Sequence, residues 1–390
     1  MEAVFTDYWS QGLWHVAARL AGANRLTSRF HEELSDAEVC AFNASALGQG
    51  LSHRFYKHDN PYGGYLRVGS RFGRNVRSAL RKRKEQHWEN TVFFGYDTGF
   101  FEAAAWAKNR GAACVVGQMD PAFTEVEMVR QEEKIWPGWA KKPIVVPEEY
   151  FLWRQSEWAL ADIVMVNSRW TRDALLKQGV PESKLAIVPL AYEVDDKNVL
   201  APIPLKGGNA PLRVLFLGQV NIRKGIPYLI EAARLLKGVP VHFDVVGPIA
   251  IADQFVVTAP SNVRFHGSVS RDKVQDFYTQ ADVFVLPTIS DGFALTQLEA
   301  MSHGLPVITT PNCGDVVTDG VDGFLVPARN ATALAEALQT LVDDPERLQA
   351  MRESARDRVA AFSLDQLDKN LRQLEARLPL RRNESASSEL

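Results

Sequence analysis

ADVFVLPTISDGFALTQLEAMSHGLPVITT, residues 281–310, is the stretch that decides the fold. An apolar run ends at Pro287, an acidic loop with one glycine follows, and a helical pattern begins near Leu295. A second apolar run, LPVITT, starts at Leu305. Short apolar runs separated by a helix are typical of βα units, whose strands lie parallel in one sheet. The segment therefore predicts a parallel sheet covered by helices.

The same alternation precedes this stretch. LRVLFLG at 212–218, VHFDVVG at 241–247 and NVRFHG at 262–267 are strand candidates, and helical patterns occupy 226–238 and 270–280. Residues 212–362 are thus predicted to form a doubly wound, Rossmann-like α/β domain.

The N-terminal half repeats the pattern less regularly. Its strand candidates are TVFFG at 91–95, AACVVGQ at 112–118, ADIVMVNS at 161–168 and KLAIVP at 184–189. We expect a second Rossmann-like domain at 1–199 and a linker at 200–211, where proline and glycine occur without periodicity. Because ligands of such sheets bind at the carboxyl ends of the strands, two facing domains predict one central cleft.

The C-terminal end is predicted to leave the second domain. A helix at 363–378, with Ser363 as its N-cap candidate, is expected to return to the N-terminal domain. The polar residues that follow, 379–390, are expected to form a disordered tail.

The composition excludes several classes of protein. With 46% hydrophobic and 23% charged residues, the chain is not mainly disordered. A net charge of -3 gives no electrostatic reason to bind nucleic acid. Cys40, Cys114 and Cys313 are widely spaced and indicate neither a disulfide framework nor a structural zinc site. No signal-peptide pattern and no long apolar span is present, so a cytoplasmic protein is expected.

FLGQVNIRKG, residues 216–225, leads from a strand through a glycine-bearing turn into a helix. Backbone N–H groups at such a helix start, with Arg223 and Lys224 beside them, can hold a diphosphate by charge-assisted hydrogen bonds. The alternative is that Gly218 only permits a tight turn and that both cations are solvated. These residues alone leave the two interpretations open.

Two acids accompany the helix that starts near Leu295. Asp291 lies in the loop before it, and Glu299 lies about one turn inside it. Free N–H groups from Phe293 to Leu295 form an anion site, and a carboxylate on the helix can accept bonds from two vicinal ribose hydroxyls. If these two acids are considered alone, a simpler alternative exists. Asp291 then only caps the helix or its turn, and Glu299 is a solvated helix position.

A longer pattern surrounds the two acids. FLGQVNIRKGIPYLIEA, NVRFHGSVS, the 281–310 stretch and DGVDGFLVP follow one another in an order that resembles the retaining nucleotide-sugar glycosyltransferases of family four, also called glycosyl transferases group 1, with the GT-B fold. In the N-terminal half, SEWALADIVMVNSRWTRDALLKQGV and WSQGLWHVAARL are similar to that family's last N-domain elements and first glycine loop.

The resemblance implies the reaction and the ligands. A hexose moves from a nucleotide-diphosphate sugar to a hydroxyl acceptor, which is a glycan, a lipid-linked acceptor or a small molecule, with retention of anomeric configuration. The leaving phosphate oxygen takes the acceptor proton on the same face. No cofactor is implied beyond the donor substrate itself.

The resemblance also implies roles for single residues. Lys224 binds the donor pyrophosphate, Glu299 the ribose, and Asp291 the donor sugar. The implied catalytic set is Asp291, Glu299, Lys224 and Asp120. The implied donor-binding set is Gln11, Gly12, Gly218, Gln219, Arg223, Lys224, Gly267, Val269, Gly292, Phe293, Ala294, Leu295 and Glu299.

Three positions depart from the family's pattern. Gln219 stands where an arginine is usual, which makes Arg223 the candidate for that charge. Asp291 is one methylene shorter than the usual glutamate. Gln118 and Asp120 stand where a histidine often follows a central strand. These departures concern contacts with the donor sugar rather than the reaction class.

The sequence predicts that no metal takes part. No Asp-x-Asp triplet follows a predicted strand, so no carboxylate pair is expected to hold a divalent cation. The charge of the leaving group is then expected to be met by Arg223, Lys224 and backbone dipoles.

The basic stretch from Arg67 to Lys84 predicts peripheral contact with anionic lipid on the inner membrane face, or with an anionic acceptor. A solvated helix face is the alternative, because Gly69 and Gly73 weaken a helix there. Trp136 and Trp139 are candidates for the acceptor side, with packing as their alternative role.

Two other functions stay open from the sequence. A sugar-nucleotide epimerase on the same fold keeps a similar nucleotide pocket but needs acid and base carboxylates. A non-catalytic protein that binds nucleotide sugars is suggested by the departures at Gln219 and Asp291.

Overall fold

The computed structural model describes residues 3–11, 13–20, 26, 29–34, 36–48, 61–83, 87–143, 145–194 and 210–380. Several predicted features lie outside these residues. They are Gly12, Lys84, the linker from 200 to 209 and the tail from 381 to 390.

Short strands alternate with helices along most of the described chain. The strands are β1 (Ala3–Thr6), β2 (Glu38–Ala41), β3 (Val92–Tyr96), β4 (Ala113–Gln118), β5 (Ile163–Val166), β6 (Leu185–Ile187), β7 (Leu212–Leu217), β8 (Val241–Val246), β9 (Val263–Gly267), β10 (Val283–Leu286), β11 (Val307–Thr309) and β12 (Gly323–Leu325).

The helices connect successive strands and continue after the last one. They are α1 (Leu13–Leu20), α2 (Pro61–Leu80), α3 (Phe101–Lys108), α4 (Phe123–Ile135), α5 (Glu148–Leu160), α6 (Arg169–Lys177), α7 (Ile226–Leu235), α8 (Asp253–Val257), α9 (Arg271–Gln280), α10 (Thr296–Ser302), α11 (Ala331–Asp343), α12 (Pro345–Val359) and α13 (Leu364–Glu375). Of the helices in the described residues, none combines the length and the apolar composition that crossing a membrane requires.

The largest sheet has six parallel strands in the order β12-β11-β10-β7-β8-β9. The central strand β10 is buried at every position, as its continuous apolar sequence VFVL requires in a sheet covered on both faces. Helix α7 buries Ile226, Leu229 and Ile230 in the core around this sheet. The predicted α/β class with doubly wound parallel sheets is confirmed.

Smaller sheets occupy the N-terminal half. Strands β1 and β2 form a parallel pair, and a four-stranded sheet has the order β3-β4-β5-β6. Strand β4 is buried at every position, so its carboxyl end brings Gln118 into the interior.

The chain divides into two compact units, and each unit is built from separate stretches of the sequence. The first contains residues 1–117, 145–163 and 379–390, and the second contains 118–144 and 164–378. The domain boundaries at 199, 212 and 362 remain a prediction. Within the second unit, Arg377 just after α13 donates hydrogen bonds of 2.9 Å to the carbonyl oxygens of Ser183 and Leu185.

Candidate functional site

The loop that follows β7 is a turn closed by its own side chains. Asn221 accepts a 2.9 Å hydrogen bond from the amide of Lys224 and donates one of 2.8 Å to the side chain of Gln219. The loop ends at Gly225, whose φ of 75° is in the left-handed region. A Cβ at Gly225 would overlap the carbonyl oxygen of Pro287, so only glycine fits where the two loops meet.

The loop that follows β10 is bound directly to the first loop. The carbonyl oxygen of Arg223 accepts hydrogen bonds from the amide of Ile289 at 2.8 Å and from the hydroxyl of Thr288 at 3.0 Å. The amide of Asp291 in turn donates to the carbonyl oxygen of Asn312 at 2.9 Å. Neighbouring parallel strands thus bring residues 67 or 68 positions apart into one site.

A cluster of charges occupies the meeting point of the two loops. Lys224 Nζ is paired with Asp291 Oδ2, and Arg223 Nη1 lies 3.3 Å from the same oxygen. Burial raises the pKa of Asp291, but Lys224 and then Arg223 outweigh it, so the pKa lies below its usual value. Burial lowers the pKa of Arg223, and Glu125 and Asp291 raise it by more. Asp291 and Arg223 therefore both stay charged at neutral pH.

Glu125 is a member of the cluster that the sequence did not single out. Its Oε2 lies 3.4 Å from Nη1 of Arg223, and its side chain is 19% exposed. Burial raises the pKa of Glu125 to about 7; Arg223 opposes the shift, and Asp120 and Asp291 add to it. The available signal was an acid in the first turn of the helix after β4, a position that many helices share for dipole reasons.

Gln118 and Asp120, at the end of β4, form a tight turn. The carboxylate of Asp120 accepts a 2.7 Å hydrogen bond from the amide of Ala122, whose φ is 52°. The amide group of Gln118 donates to the carbonyl oxygen of Asp120 at 2.9 Å. Asp120 thus stabilises a strained turn, and it also contributes negative charge near Glu125.

The segment from Gly292 to Leu295 leads into α10. A Cβ at Gly292 would overlap the carbonyl oxygen of Met119, so the loop packs closely against the end of β4. The amide of Phe293 donates to Asp291 Oδ1 at 3.3 Å, and Ala294 has a φ of 55°. Within the described residues, the amides of Gly292, Ala294 and Leu295 donate no hydrogen bond to the protein. These amides provide the donors that an anionic ligand needs.

Glu299 lies on α10 and is tied to the preceding helix. Its Oε2 accepts a 2.8 Å hydrogen bond from the hydroxyl of Tyr278 on α9, and the Tyr278 ring stacks on His303 at 5.0 Å. Glu299 itself is half-buried. The alternative in which Glu299 is a freely solvated helix position is not supported, because a buried tyrosine holds its carboxylate.

The remaining predicted donor-binding residues lie outside the two loops described above. Gly267 ends β9, where its carbonyl oxygen accepts a 2.9 Å hydrogen bond from Gly247, and Val269 packs against the core of the six-stranded sheet. Gln11 belongs to the first compact unit and is exposed. The second unit thus brings together Gly218, Gln219, Arg223, Lys224 and residues 291–295, with Asp120 and Glu125 beside them.

The two tryptophans that follow α4 are packing residues. Trp139 is 5% exposed and stacks on Phe255 at 4.0 Å. Trp136 contacts Trp139 and Tyr228 edge-on at 5.4 Å. The alternative in which they line a binding surface is not supported.

Possible metal ligands do not converge in the described part of the chain. No group of three or more histidine, cysteine, aspartate or glutamate side chains there has the arrangement that could hold a metal ion. Asp291, Glu125 and Asp120 are instead balanced by Arg223 and Lys224.

Part of the chain is similar to known glycosyltransferases. Residues 211–344 match the family model described as glycosyl transferases group 1. The chain is 27% identical over 198 residues to the amylovoran biosynthesis glycosyltransferase AmsK of Erwinia amylovora, covering 46% of this chain and 47% of that protein. The chain spans about half the length of the curated relatives it matches first.

Solved structures identify the fold. Sucrose-phosphate synthase from Thermosynechococcus elongatus superposes with a TM-score of 0.61 at 20% identity, covering 80% of this chain and 78% of that one. Anabaena HepE in complex with UDP-glucose superposes with a TM-score of 0.59 at 15% identity, covering 96% of this chain and 100% of that one. The protein therefore has the GT-B fold, as its sequence predicts.

Proposed function

We propose that this protein is a glycosyltransferase that moves a hexose from a nucleotide-diphosphate sugar to a hydroxyl acceptor, with retention of anomeric configuration. One observation carries the proposal. Arg223, Lys224 and Asp291 form a single charge cluster beside the amides of Ala294 and Leu295, which donate no hydrogen bond to the part of the protein that the structure describes. This cluster lies within the residues that match the glycosyl transferases group 1 model.

The cluster has the chemistry that a diphosphate requires. The side chains of Arg223 and Lys224 are only 26% and 11% exposed, and charge-assisted hydrogen bonds are strong at such partly buried positions. In our proposal, Lys224 exchanges Asp291 for a phosphate oxygen when the donor binds. The carboxylate of Asp291 then becomes available to the donor sugar.

The same residues account for bond cleavage. Negative charge develops on the diphosphate as its bond to the sugar breaks, and Arg223, Lys224 and the amides of Ala294 and Leu295 stabilise it. Asp291 stabilises the positive charge that develops on the anomeric carbon. The acceptor hydroxyl attacks from the face that the diphosphate leaves and gives its proton to the leaving phosphate oxygen. Retention then requires no protein nucleophile.

Metal independence is part of the proposal. A divalent cation at a diphosphate site neutralises charge on the leaving group. Arg223 and Lys224 supply that neutralisation, and Asp291 keeps the two cations close together before the donor arrives.

The ligand classes follow from the relatives. HepE is named in complex with UDP-glucose, which makes UDP-hexoses the first donors to test, and AmsK is named for amylovoran biosynthesis, which favours a glycan acceptor. We propose that Glu299 accepts the ribose hydroxyls of the donor nucleotide. Transferase names among these relatives favour transfer over the epimerase and over the non-catalytic binding protein.

Peripheral contact with the inner membrane face is proposed for α2 in a cytoplasmic protein. Arg67, Arg71, Arg74 and Arg81 recur at helical spacing and are exposed, so they form one basic stripe. Near its end, Lys82 and Arg83 line an open cavity of about 470 Å³ together with Phe5, Phe42 and Glu38, and Glu38 is paired with Arg83. Clustered cations beside apolar side chains favour an anionic lipid or an anionic acceptor.

Vesicle sedimentation tests the membrane contact. The protein is expected to sediment with phosphatidylglycerol vesicles and not with phosphatidylcholine vesicles, and salt should weaken the binding. The double change Arg67→Glu and Arg71→Glu should abolish it, whereas Arg372→Glu on the exposed face of α13 should not. Binding that survives the double change contradicts the proposal.

A transfer assay tests the function itself. The protein is incubated with UDP-glucose, UDP-galactose, UDP-N-acetylglucosamine or GDP-mannose and with lipid-linked or free oligosaccharide acceptors, and products are identified by mass spectrometry and NMR. We expect a new α-glycosidic bond and release of the nucleoside diphosphate only when an acceptor is present. Altered free sugar without acceptor identifies an epimerase, and binding without any turnover identifies a non-catalytic protein.

A further inference from the structure

Tyr278 connects the predicted ribose-binding acid to the core of the second unit. The tyrosine is 1% exposed, and its hydroxyl donates a 2.8 Å hydrogen bond to Oε2 of Glu299. Its ring stacks on His303, which is itself 2% exposed, with 8° between the ring planes. Two buried rings therefore hold the hydroxyl in a fixed place, and the hydroxyl in turn holds the carboxylate.

The direction of this hydrogen bond is fixed as well. Burial raises the pKa of Tyr278 well above that of a free tyrosine, and the charge of Glu299 adds to the rise. The phenol therefore stays protonated at neutral pH, so the hydroxyl donates and the carboxylate accepts. Burial also lowers the pKa of His303, which keeps the stacked ring neutral.

Glu299 has capacity left for a ligand. Within the described residues, no donor reaches Oε1, and Oε2 accepts only from Tyr278. A carboxylate offers about four acceptor positions, so a vicinal diol has room beside the tyrosine. An unrestrained glutamate would lose rotamer freedom on binding a ligand, whereas this one is already oriented.

We propose that Tyr278 is a positioning residue, whose hydrogen bond orients Glu299 for the ribose diol of the donor and so sets the preference for ribonucleotides over their dideoxy forms. This inference rests on the proposed function, because it needs a nucleotide at Glu299. Tyr278 does not touch the ligand and acts only through the carboxylate.

The competing explanation is that Tyr278 and Glu299 are simply a buried structural pair. The chain offers a matched control for it. Tyr228 is 7% exposed and donates a 2.7 Å hydrogen bond to Oε2 of the fully buried Glu132, in the same compact unit. Removing that hydroxyl likewise takes a buried hydrogen bond away from a carboxylate, but it leaves Glu299 unchanged.

The experiment measures nucleotide preference by calorimetry. UDP, GDP and ADP are each compared with their 2′,3′-dideoxy forms, and the ratio of the two dissociation constants is taken for the base that binds most tightly. In Tyr278→Phe we expect this ratio to fall about five- to tenfold, as the loss of one oriented hydrogen bond predicts, while the affinity for the dideoxy form stays constant. In Tyr228→Phe the ratio should equal that of the parent, although both changes lower the midpoint of unfolding.

A double-mutant cycle tests whether the tyrosine acts through the acid. In a Glu299→Ala background, Tyr278→Phe should cause no further change in the ratio. Should Tyr278→Phe not fold, His303→Gln serves instead, because it removes the ring that stacks on Tyr278 and leaves both the hydroxyl and Glu299 in the chain. The ratio should then fall as well, and an unchanged ratio overturns the inference.

The outcomes separate this inference from the function on which it rests. A parent protein that binds none of the three nucleotides, or that binds ribose and dideoxy forms equally, overturns the proposed function and the inference with it. A parent that discriminates while Tyr278→Phe discriminates equally well overturns the inference alone. The inference is also overturned if Tyr278→Phe lowers the ratio of dissociation constants as much in the Glu299→Ala background as in the parent.

Discussion

Lys224 and Asp291 form an ion pair across the two loops that follow β7 and β10. The pair is largely shielded, since the two side chains are 11% and 15% exposed. Before any donor binds, the lysine is thus held in place by the carboxylate. A diphosphate that replaces this partner meets a cation that is already positioned and partly dehydrated, which is favourable for binding.

We expect Lys224→Ala to weaken the binding of the nucleoside diphosphate much more than that of the nucleoside. Losing a charge-assisted hydrogen bond costs about 1.5 to 3 kcal/mol, which corresponds to about ten- to hundredfold in affinity. Isothermal titration calorimetry measures both ligands. Lys237→Ala is the control, because that lysine is exposed near the other end of α7. Equal affinity of Lys224→Ala and the parent for the diphosphate would place this lysine outside the site.

Stability should depend on pH through Glu125. The folded-state pKa is raised to about 7, above that of the unfolded chain, so the folded state binds more protons between these values and loses stability as pH rises through them. Glu125→Gln cannot ionise and escapes this loss. The variant should therefore gain about 1 to 3 kcal/mol relative to the parent between pH 5 and pH 8.

Denaturant unfolding at the two pH values measures this difference. Glu157 also has a pKa raised to about 7, by burial, but it is common to parent and variant and cancels. Glu127→Gln is the control, since Glu127 lies on the same helix and accepts a 3.4 Å hydrogen bond from Gln131. If the free energy of unfolding changes equally with pH in the parent and in Glu125→Gln, the prediction is contradicted.

The sequence predicted those parts of the site that depend on neighbours along the chain. The apolar run that ends at Pro287, the glycine at 292 and the helix after it are local patterns, and the structure has strand β10, the close contact of Gly292 with Met119 and helix α10 at these places. Whether the carboxylate of Glu299 is solvated or held in place depends on Tyr278, which lies 21 residues earlier in the sequence. Helical periodicity relates residues three or four positions apart, so it could not predict this contact.

Glu125 shows the same limit more strongly. Its partner Arg223 lies 98 residues away in the sequence, and only the packing of α4 beside the loop after β7 brings them together. A charged residue in the first turn of a helix is common, so its burial could not be read from its type. The sequence likewise left open whether Trp136 and Trp139 pack in the interior or bind a ligand. Packing needs buried rings and binding needs exposed ones, and tertiary structure decides which of the two applies.

Gly225→Ala should disrupt the meeting of the two loops. The new methyl group would overlap the carbonyl oxygen of Pro287, and alanine disfavours the φ of 75°. We expect the free energy of unfolding to fall by more than about 2 kcal/mol. Gly238→Ala is a matched control, because Gly238 has a φ of 91° but no atom within 4 Å of an added Cβ, and it should cost only about 1 kcal/mol. Similar losses in both variants would show that the contact with Pro287 does not matter.

Transfer should survive exhaustive chelation. The proposed charge neutralisation comes from Arg223 and Lys224, so the rate in EDTA should equal the rate in magnesium. The measurement is nucleoside diphosphate release with the donor and acceptor identified by the transfer assay. Loss of turnover in EDTA, with recovery on adding magnesium or manganese, would contradict metal independence.

The two carboxylates of the site should have separable effects. Glu299 is proposed to hold the ribose equally in the ground state and in the transition state, so Glu299→Gln should mainly raise the KM for the donor and weaken the product nucleotide. Asp291 is proposed to meet positive charge that develops only as the bond breaks. Asp291→Asn should therefore lower kcat more than it changes nucleotide affinity.

Asp291→Glu provides the sharpest comparison, because it keeps the charge and adds one methylene group. It lengthens the reach of the carboxylate toward the donor sugar while Lys224 and Arg223 remain as partners. We expect it to retain activity or to change the preferred donor sugar, in contrast to Asp291→Asn. Steady-state kinetics on the three variants, with calorimetry of the bare nucleotide, distinguishes these effects. If Asp291→Asn matches the parent in kcat, Asp291 only partners the two cations and caps the amide of Phe293, and its catalytic role is refuted.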